Sequence, residues 1–143
     1  MGKTFWLSVV VVFIVFAVLQ FIAHPILLGK WYSSPETQHL WKPEEVQKTR
    51  MIWHFISELV FAIFFVLIYS KGFEPGKGYI SQGLRYSFYA GLLVYLPITL
   101  THYVVLAAPG KMLALQGIYN LITVLITGLV LGALYKPAPR PTM

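Results

Sequence analysis

Cysteine is absent from this 143-residue chain, and so is aspartate. Without cysteine there are no disulfides, no thiolate metal sites, no thioether-linked haem and no thiol redox chemistry. Without aspartate no Ser-His-Asp set can be assembled, and no Walker A, GxGxxG or HExxH pattern occurs. An enzyme of familiar motif is not expected. Charge is scarce too: 11% of residues are charged, where a soluble domain carries about a quarter. With 57% hydrophobic residues and a mean hydropathy of +0.69, the composition is that of a membrane protein. The net charge of +6 comes from scattered single residues rather than a basic cluster, which fits a membrane surface and excludes nucleic acid as the expected partner.

What is present is a set of long apolar runs. The central one is Met51 to Tyr69, MIWHFISELVFAIFFVLIY. Nineteen residues at about 1.5 Å each give roughly 28 Å of helix, close to the hydrocarbon thickness of a bilayer. His54 and Glu58 stand at i and i+4 inside it and project from one face, with Ser57 beside them. Glu58 is the only carboxylate side chain within any span. An ionisable group in lipid costs about 3 kcal/mol or more, so it is expected to face protein or a water-filled cavity.

The first span covers residues 4 to 28. Its apolar part is too long for a signal-peptide core and no A-x-A-like site follows it, so a retained helix is expected. Gln20 and His24 repeat the i, i+4 polar spacing near its end, where Pro25 is expected to kink or stop the last turn. The polar connection 29–50 contains Ser34-Pro35-Glu36, an N-cap and N1 signature that suggests a short interfacial helix. Trp31, Trp41 and Trp53 suit an aromatic belt at this face. Pro43-Glu44-Glu45 reads as the first turn of a second helix that runs continuously to about 70, its membrane part being 50–70. The loop FEPGKG leads to a third span, 79–107, and Pro109-Gly110 to a fourth, 112–135. Gly83, Ser87 and Gly91 form one small-residue seam and Gly128 with Gly132 another, both suited to close helix packing. Tyr69, Tyr79, Tyr86 and Tyr135 are expected to be interfacial anchors, and residues 136–143 a disordered tail.

The polar residues share one depth. Gln20 and His24 end the first span, His54 and Glu58 begin the second, Thr99 and His102 end the third, and Gln116 and Asn120 begin the fourth. In an antiparallel four-helix bundle all of these lie in the leaflet opposite the termini, which predicts a polar chamber there. Three readings compete for it. His24, His54, His102 and Glu58 can supply ligands to a metal ion, or two of the histidines to a b-type haem. The cluster can instead bind an amphipathic molecule such as a quinone, lipid or pigment, with Glu58 or a histidine accepting a proton, or serve a proton-coupled exporter. In the third reading the polar side chains only hydrogen-bond across helices and fix register. His39 lies in the polar loop and is expected to be solvated.

The run Leu59 to Tyr69 into SKGFE, then QGLRY, then LVYLPITLTHYVV, resembles a group of small uncharacterised bacterial four-helix integral membrane proteins. The shared features are an IY-x-KG-x-E junction, a Gly-Arg start to the third helix and a proline inside it, over about residues 50 to 135. A histidine near the Glu58 position is common in that group and is missing here, so no ligand role carries over. The resemblance implies the topology and no activity.

The expected protein is all-α and polytopic: a single transmembrane domain forming an antiparallel four-helix bundle. Six lysines and arginines (Lys3, Lys71, Lys77, Arg85, Lys136, Arg140) fall on the side of the termini and five (Lys30, Lys42, Lys48, Arg50, Lys111) on the other. That asymmetry favours cytoplasmic termini in a bacterial inner membrane. The first functional expectation is an accessory or structural subunit of a larger membrane complex, or a homo-oligomer. The alternative is a metal-, haem- or quinone-binding membrane protein.

Overall fold

A computed structural model describes residues 2–135, so the expected tail at 136–143 lies outside the described residues. Helices are the only regular secondary structure among the described residues, with no strand. Four helices are long and apolar enough to cross a membrane: Lys3–Leu27, Met51–Lys71, Tyr79–Val105 and Gly110–Leu134. Their best windows have mean hydropathies of 2.8, 2.2, 1.5 and 2.0.

The first span is not one uniform helix. The α-helix α1 covers Lys3–Phe21 and passes directly into a π-helix, Ile22–Leu27, in which the Leu28 N–H donates to the Ala23 carbonyl at 3.1 Å. Pro25 explains the change: it has no N–H to donate and its ring would strike the carbonyl one α-turn back. Widening the turn relieves that clash without ending the span. The chain then makes a single α-turn, α2 (Gly29–Tyr32). Where the Ser34-Pro35-Glu36 signature suggested a capped helix, the structure has a turn and then a 3-10 segment, Gln38–Leu40. The Ser34 hydroxyl is diverted to the Trp31 carbonyl and to Thr37, and Thr37 is itself fully buried against the Trp31 carbonyl.

Nor is the second helix continuous from 43. A six-residue helix, α3 (Glu44–Thr49), carries Glu44 and Glu45 in its first turn and ends at Arg50, whose φ of −104° and ψ of 3° leave the helical well. The span α4 (Met51–Lys71) starts afresh from there. The third span, α5 (Tyr79–Val105), runs through Pro97 and stops two residues before 107, because Leu106 is extended ahead of Pro109. The fourth, α6 (Gly110–Leu134), begins at Gly110.

Packing is dominated by α5 on α6, and it is glycine that permits it. Gly83 faces Gly128 and Gly132, Ser87 faces Gly128, Gly91 faces Leu121 and Val124, and Thr99 faces Gly117. As numbering rises along α5, the partner on α6 falls. A Cβ placed on Gly132 would lie 2.6 Å from the Tyr79 carbonyl oxygen, so no larger residue fits without separating the helices. On the other flank of α6, α1 packs against α4 through Val9, Val12 and Phe16 on Ala62, Phe65 and Val66, with Phe16 stacked on Phe61 at 4.2 Å. Helix α1 also touches α6, so it sits between its two neighbours.

Two of the tyrosines expected to be interfacial anchors pack against neighbouring helices, Tyr69 buried and Tyr86 half-buried. Tyr69 is 2% exposed, and the Tyr86 hydroxyl donates to the Phe65 carbonyl at 2.7 Å. With Phe73, Tyr79 and Tyr135 they form an aromatic cluster at one end of the bundle (Tyr69 to Tyr86 5.4 Å, Tyr69 to Tyr135 5.6 Å). Each ring contributes apolar area, and each hydroxyl needs one partner, which the helix backbone supplies to Tyr86. The adjoining loop is pinned by Gln82, whose amide accepts from the Glu74 N–H and donates to the Glu74 and Lys77 carbonyls at 2.8–3.0 Å.

Candidate functional site

At the opposite end from the aromatic cluster, polar side chains from several elements approach one another. The π-helical turn is where the site begins, because it carries His24. The His24 Nε2–H donates to Asn120 Oδ1 on α6 at 3.2 Å, and Nδ1 lies 2.6 Å from the Tyr32 hydroxyl. Since the Asn120 oxygen can only accept, Nε2 carries a proton, while the Tyr32 hydroxyl engages Nδ1. Both imidazole nitrogens are thus occupied by protein partners. Tyr32 is held in place by an edge contact with Trp41 at 4.9 Å, and burial pushes its hydroxyl pKa up to about 12. The hydroxyl therefore stays protonated at neutral pH beside His24.

One turn earlier Gln20 is buried, and from α4 Glu58 is only 4% exposed. Glu58 Oε1 lies 3.1 Å from Nε2 of His54, which is itself 58% exposed. Tyr95 comes alongside Gln20 and Glu58 from α5. Two acceptors at this level have no partner among the described residues: Gln20 Oε1 and Glu58 Oε2. An orphaned buried polar atom costs about 1–3 kcal/mol, so two at one level form a place built to receive hydrogen-bond donors.

The surroundings are open on one side. Residues 51–57 of α4 are all exposed, and the far half of α5 is little better covered, with Tyr103 68% and Val104 81% exposed. Lower down, α4 and α5 meet through long aromatic side chains, Phe65 on Tyr86 at 4.8 Å among them. Between the two helices lies an apolar groove of about 410 Å³ walled by Phe61, Phe64 and Ile68 on one side and Tyr89, Ala90 and Leu93 on the other.

The residues expected to act together divide. Gln20, His24, His54, Glu58 and Asn120 gather at one level. His102 stays apart, on the last turn of α5 where that helix is least covered, and no group of three or more His, Cys, Asp or Glu side chains converges among the described residues. The expected His24, His54, His102 and Glu58 ligand set is therefore not assembled, and His24 has no nitrogen free for a metal ion or haem iron. Thr99 packs on Gly117 and Gln116 is half-buried; both belong to the helix contact rather than to the His24 network. The seam residues Gly83, Ser87, Gly91, Gly128 and Gly132 are spent inside the chain, α5 against α6. Tyr32 is the participant sequence reading missed. It lies eight residues beyond His24, across a non-helical break, and no helical period points to it.

The fold and site thus describe an all-helical protein with four helices able to cross a membrane and a polar cluster set among them. No protein-family model, curated protein or solved structure matches the chain.

Proposed function

We propose that this chain is an integral membrane protein that binds a lipid-soluble molecule with a hydroxylated head, of the quinol class, at Gln20, Glu58 and Tyr95. The observation that carries the reading is the pair of buried, unpartnered acceptors, Gln20 Oε1 and Glu58 Oε2. A head group with two O–H donors satisfies both, and it reaches them sideways from the bilayer, past the uncovered first turns of α4. His54, exposed and with its Nε2 3.1 Å from Glu58 Oε1, is placed to take up or release the proton that the carboxylate exchanges with the ligand. The four spans form an antiparallel bundle, supported by the falling α5–α6 register, with cytoplasmic termini in a bacterial inner membrane, supported by the lysine and arginine count. Residues 33–42 lie at the interface of the opposite face.

The test is extraction of the gently solubilised protein followed by mass spectrometry of bound small molecules. A hydroxylated isoprenoid or related compound at near one per chain, lost in Glu58→Leu and in Gln20→Leu, supports the reading. Equal trace amounts in all three proteins sink it.

One observation favours a second reading, an accessory role in a larger complex or homo-oligomer. Helix α5 is the least hydrophobic span, yet only 6% of its window is buried within the chain, against 39% for α6. A partner helix lying on α5 accounts for both. Crosslinking from a photoreactive group at Leu100 to lipid alone, and never to protein, rules it out.

A further inference from the structure

The groove between α4 and α5 has a polar end, and it lies away from the cluster just described. Beyond Ile68 the groove meets a second cavity of about 170 Å³, lined by Tyr69, Gly72, Gln82 and Arg85. Tyr86 and Tyr89 line both, so the two adjoin. The combined shape is an apolar trough along the membrane span that opens into a polar cup at its surface. At about 30 Å³ per water, the cup has room for a small polar group of several heavy atoms.

The charges around the cup have one dominant sign. Arg85 lines it, Lys71 immediately precedes Gly72, and Lys77 stands on the same loop; Glu74 is the single acid among them. Glu74 bonds Arg85 Nη2 at 2.6 Å and also pairs with Lys77, yet three cations against one carboxylate leave a positive surplus. Arg85 remains half exposed, so its guanidinium has donors left over for an anion. Tyr89, 64% exposed, stands where cup and trough join.

We infer that this trough and cup form a binding site for one anionic phospholipid, with an acyl chain lying between α4 and α5 and the phosphate held by Arg85. Charge complementarity at one end and an apolar channel of ligand-sized volume at the other both point to that single occupant. A trough of this volume suits an acyl chain better than a partner helix. Gln82 acts here as a positioning residue: by clasping both ends of the Glu74–Lys77 loop it holds the cations over the cup. The site is independent of the Gln20 and Glu58 cluster, which lies at the other end of the bundle.

Native mass spectrometry of the full chain released from nanodiscs tests this, using phosphatidylglycerol and phosphatidylcholine of equal chain length as probes. One phosphatidylglycerol per chain is expected to survive release, at roughly tenfold preference over phosphatidylcholine, as a charge-assisted contact implies. Arg85→Gln removes the preference, and Ala90→Trp, which fills the trough, removes retention of either lipid. Circular dichroism and size-exclusion profiles identify a misfolded variant, in which case Leu93→Trp replaces Ala90→Trp. Equal retention of the two lipids by the unaltered protein overturns the headgroup assignment. Retention undiminished by a tryptophan in the trough overturns the acyl-chain assignment. Protection of Arg85 by inorganic phosphate as strong as by phosphatidylglycerol, in a glyoxal-labelling assay, shows a free-anion site and overturns the lipid.

Discussion

Nε2 of His54 lies 3.1 Å from Oε1 of Glu58, and across that one contact exposure falls from 58% to 4%. The pair is a step from the outside of the bundle to its interior, made by two residues one helical turn apart on α4. Only the i, i+4 spacing lets a single helix present both ends of such a step. The other Glu58 oxygen is buried with no hydrogen-bond partner among the described residues.

Gln20→Leu tests whether this cluster binds a ligand. The Gln20 oxygen is buried and unpartnered, and replacing it with an apolar side chain of similar size removes an unmet hydrogen-bonding demand of about 1–3 kcal/mol. The substitution is expected to raise the apparent Tm in detergent while reducing the amount of co-purified hydroxylated ligand. A stabilised protein that still carries its ligand separates Gln20 from binding.

Tyr32 gives a pH prediction outside the spans. Burial raises its hydroxyl to about 12, from the ordinary tyrosine value of 10.0, so between those values the folded chain keeps a proton that the unfolded chain has released. Stability is fully present below pH 10 and falls as pH rises toward 12. Tyr32→Phe removes the tyrosine contribution to that decline. It also loses the 2.6 Å bond to His24, costing about 1 kcal/mol at neutral pH. Thermal melts of both proteins at pH 8 and at intervals up to pH 12 measure the two effects together.

These residues show what sequence reading can and cannot reach. Spans are legible because a bilayer demands a long uncharged run, and four such runs stand out in composition alone. Gln20, His24, His54, Glu58 and Asn120 are legible as helical spacings at matching depth. Tyr32 is not, since the route of a loop has no period to read. The composition suits Tyr69 and Tyr86 to an interface, but the rings they pack on and the Phe65 carbonyl that accepts from Tyr86 are invisible in one dimension. Pro25 marked a disturbance without its form, because kinking, ending and widening a helix all satisfy the same missing N–H. His102 is legible at a matching depth, but it does not converge with the other ligand candidates among the described residues, because depth does not fix rotation.

Gly128→Val is expected to be among the most damaging single changes. A Cβ at Gly128 would lie 2.7 Å from the Gly83 carbonyl oxygen, a backbone atom that cannot move independently, and would also strike Ser87. Overpacking of this kind costs about 1–3 kcal/mol, more where backbones must part. Gly72→Ala is the control, with its nearest neighbour 3.8 Å away and an ordinary φ of −92°. Melts should show a large loss for the first and little change for the second. Similar losses in both would mean that α5 and α6 are not in such close contact.

Glu74→Gln addresses the lipid site from the opposite direction to Arg85→Gln. Bonds from Lys77 and then Arg85 hold the Glu74 carboxyl below the usual carboxylate range, so it is ionised at neutral pH and competes with any phosphate for the same guanidinium. The Gln82 clasp holds the loop through the Glu74 backbone N–H and carbonyl, which the substitution leaves intact. Removing the charge should therefore free Arg85 without displacing it, and retention of phosphatidylglycerol should rise several-fold over the unaltered chain. Acid should act in the same direction: as pH falls through the lowered Glu74 pKa, the carboxylate is neutralised while the lipid phosphate stays charged. Phosphatidylglycerol preference should then increase on acidification in the unaltered protein and be flat in Glu74→Gln. A preference that drops in Glu74→Gln would mean that the carboxylate orients the arginine toward the lipid rather than occupying it.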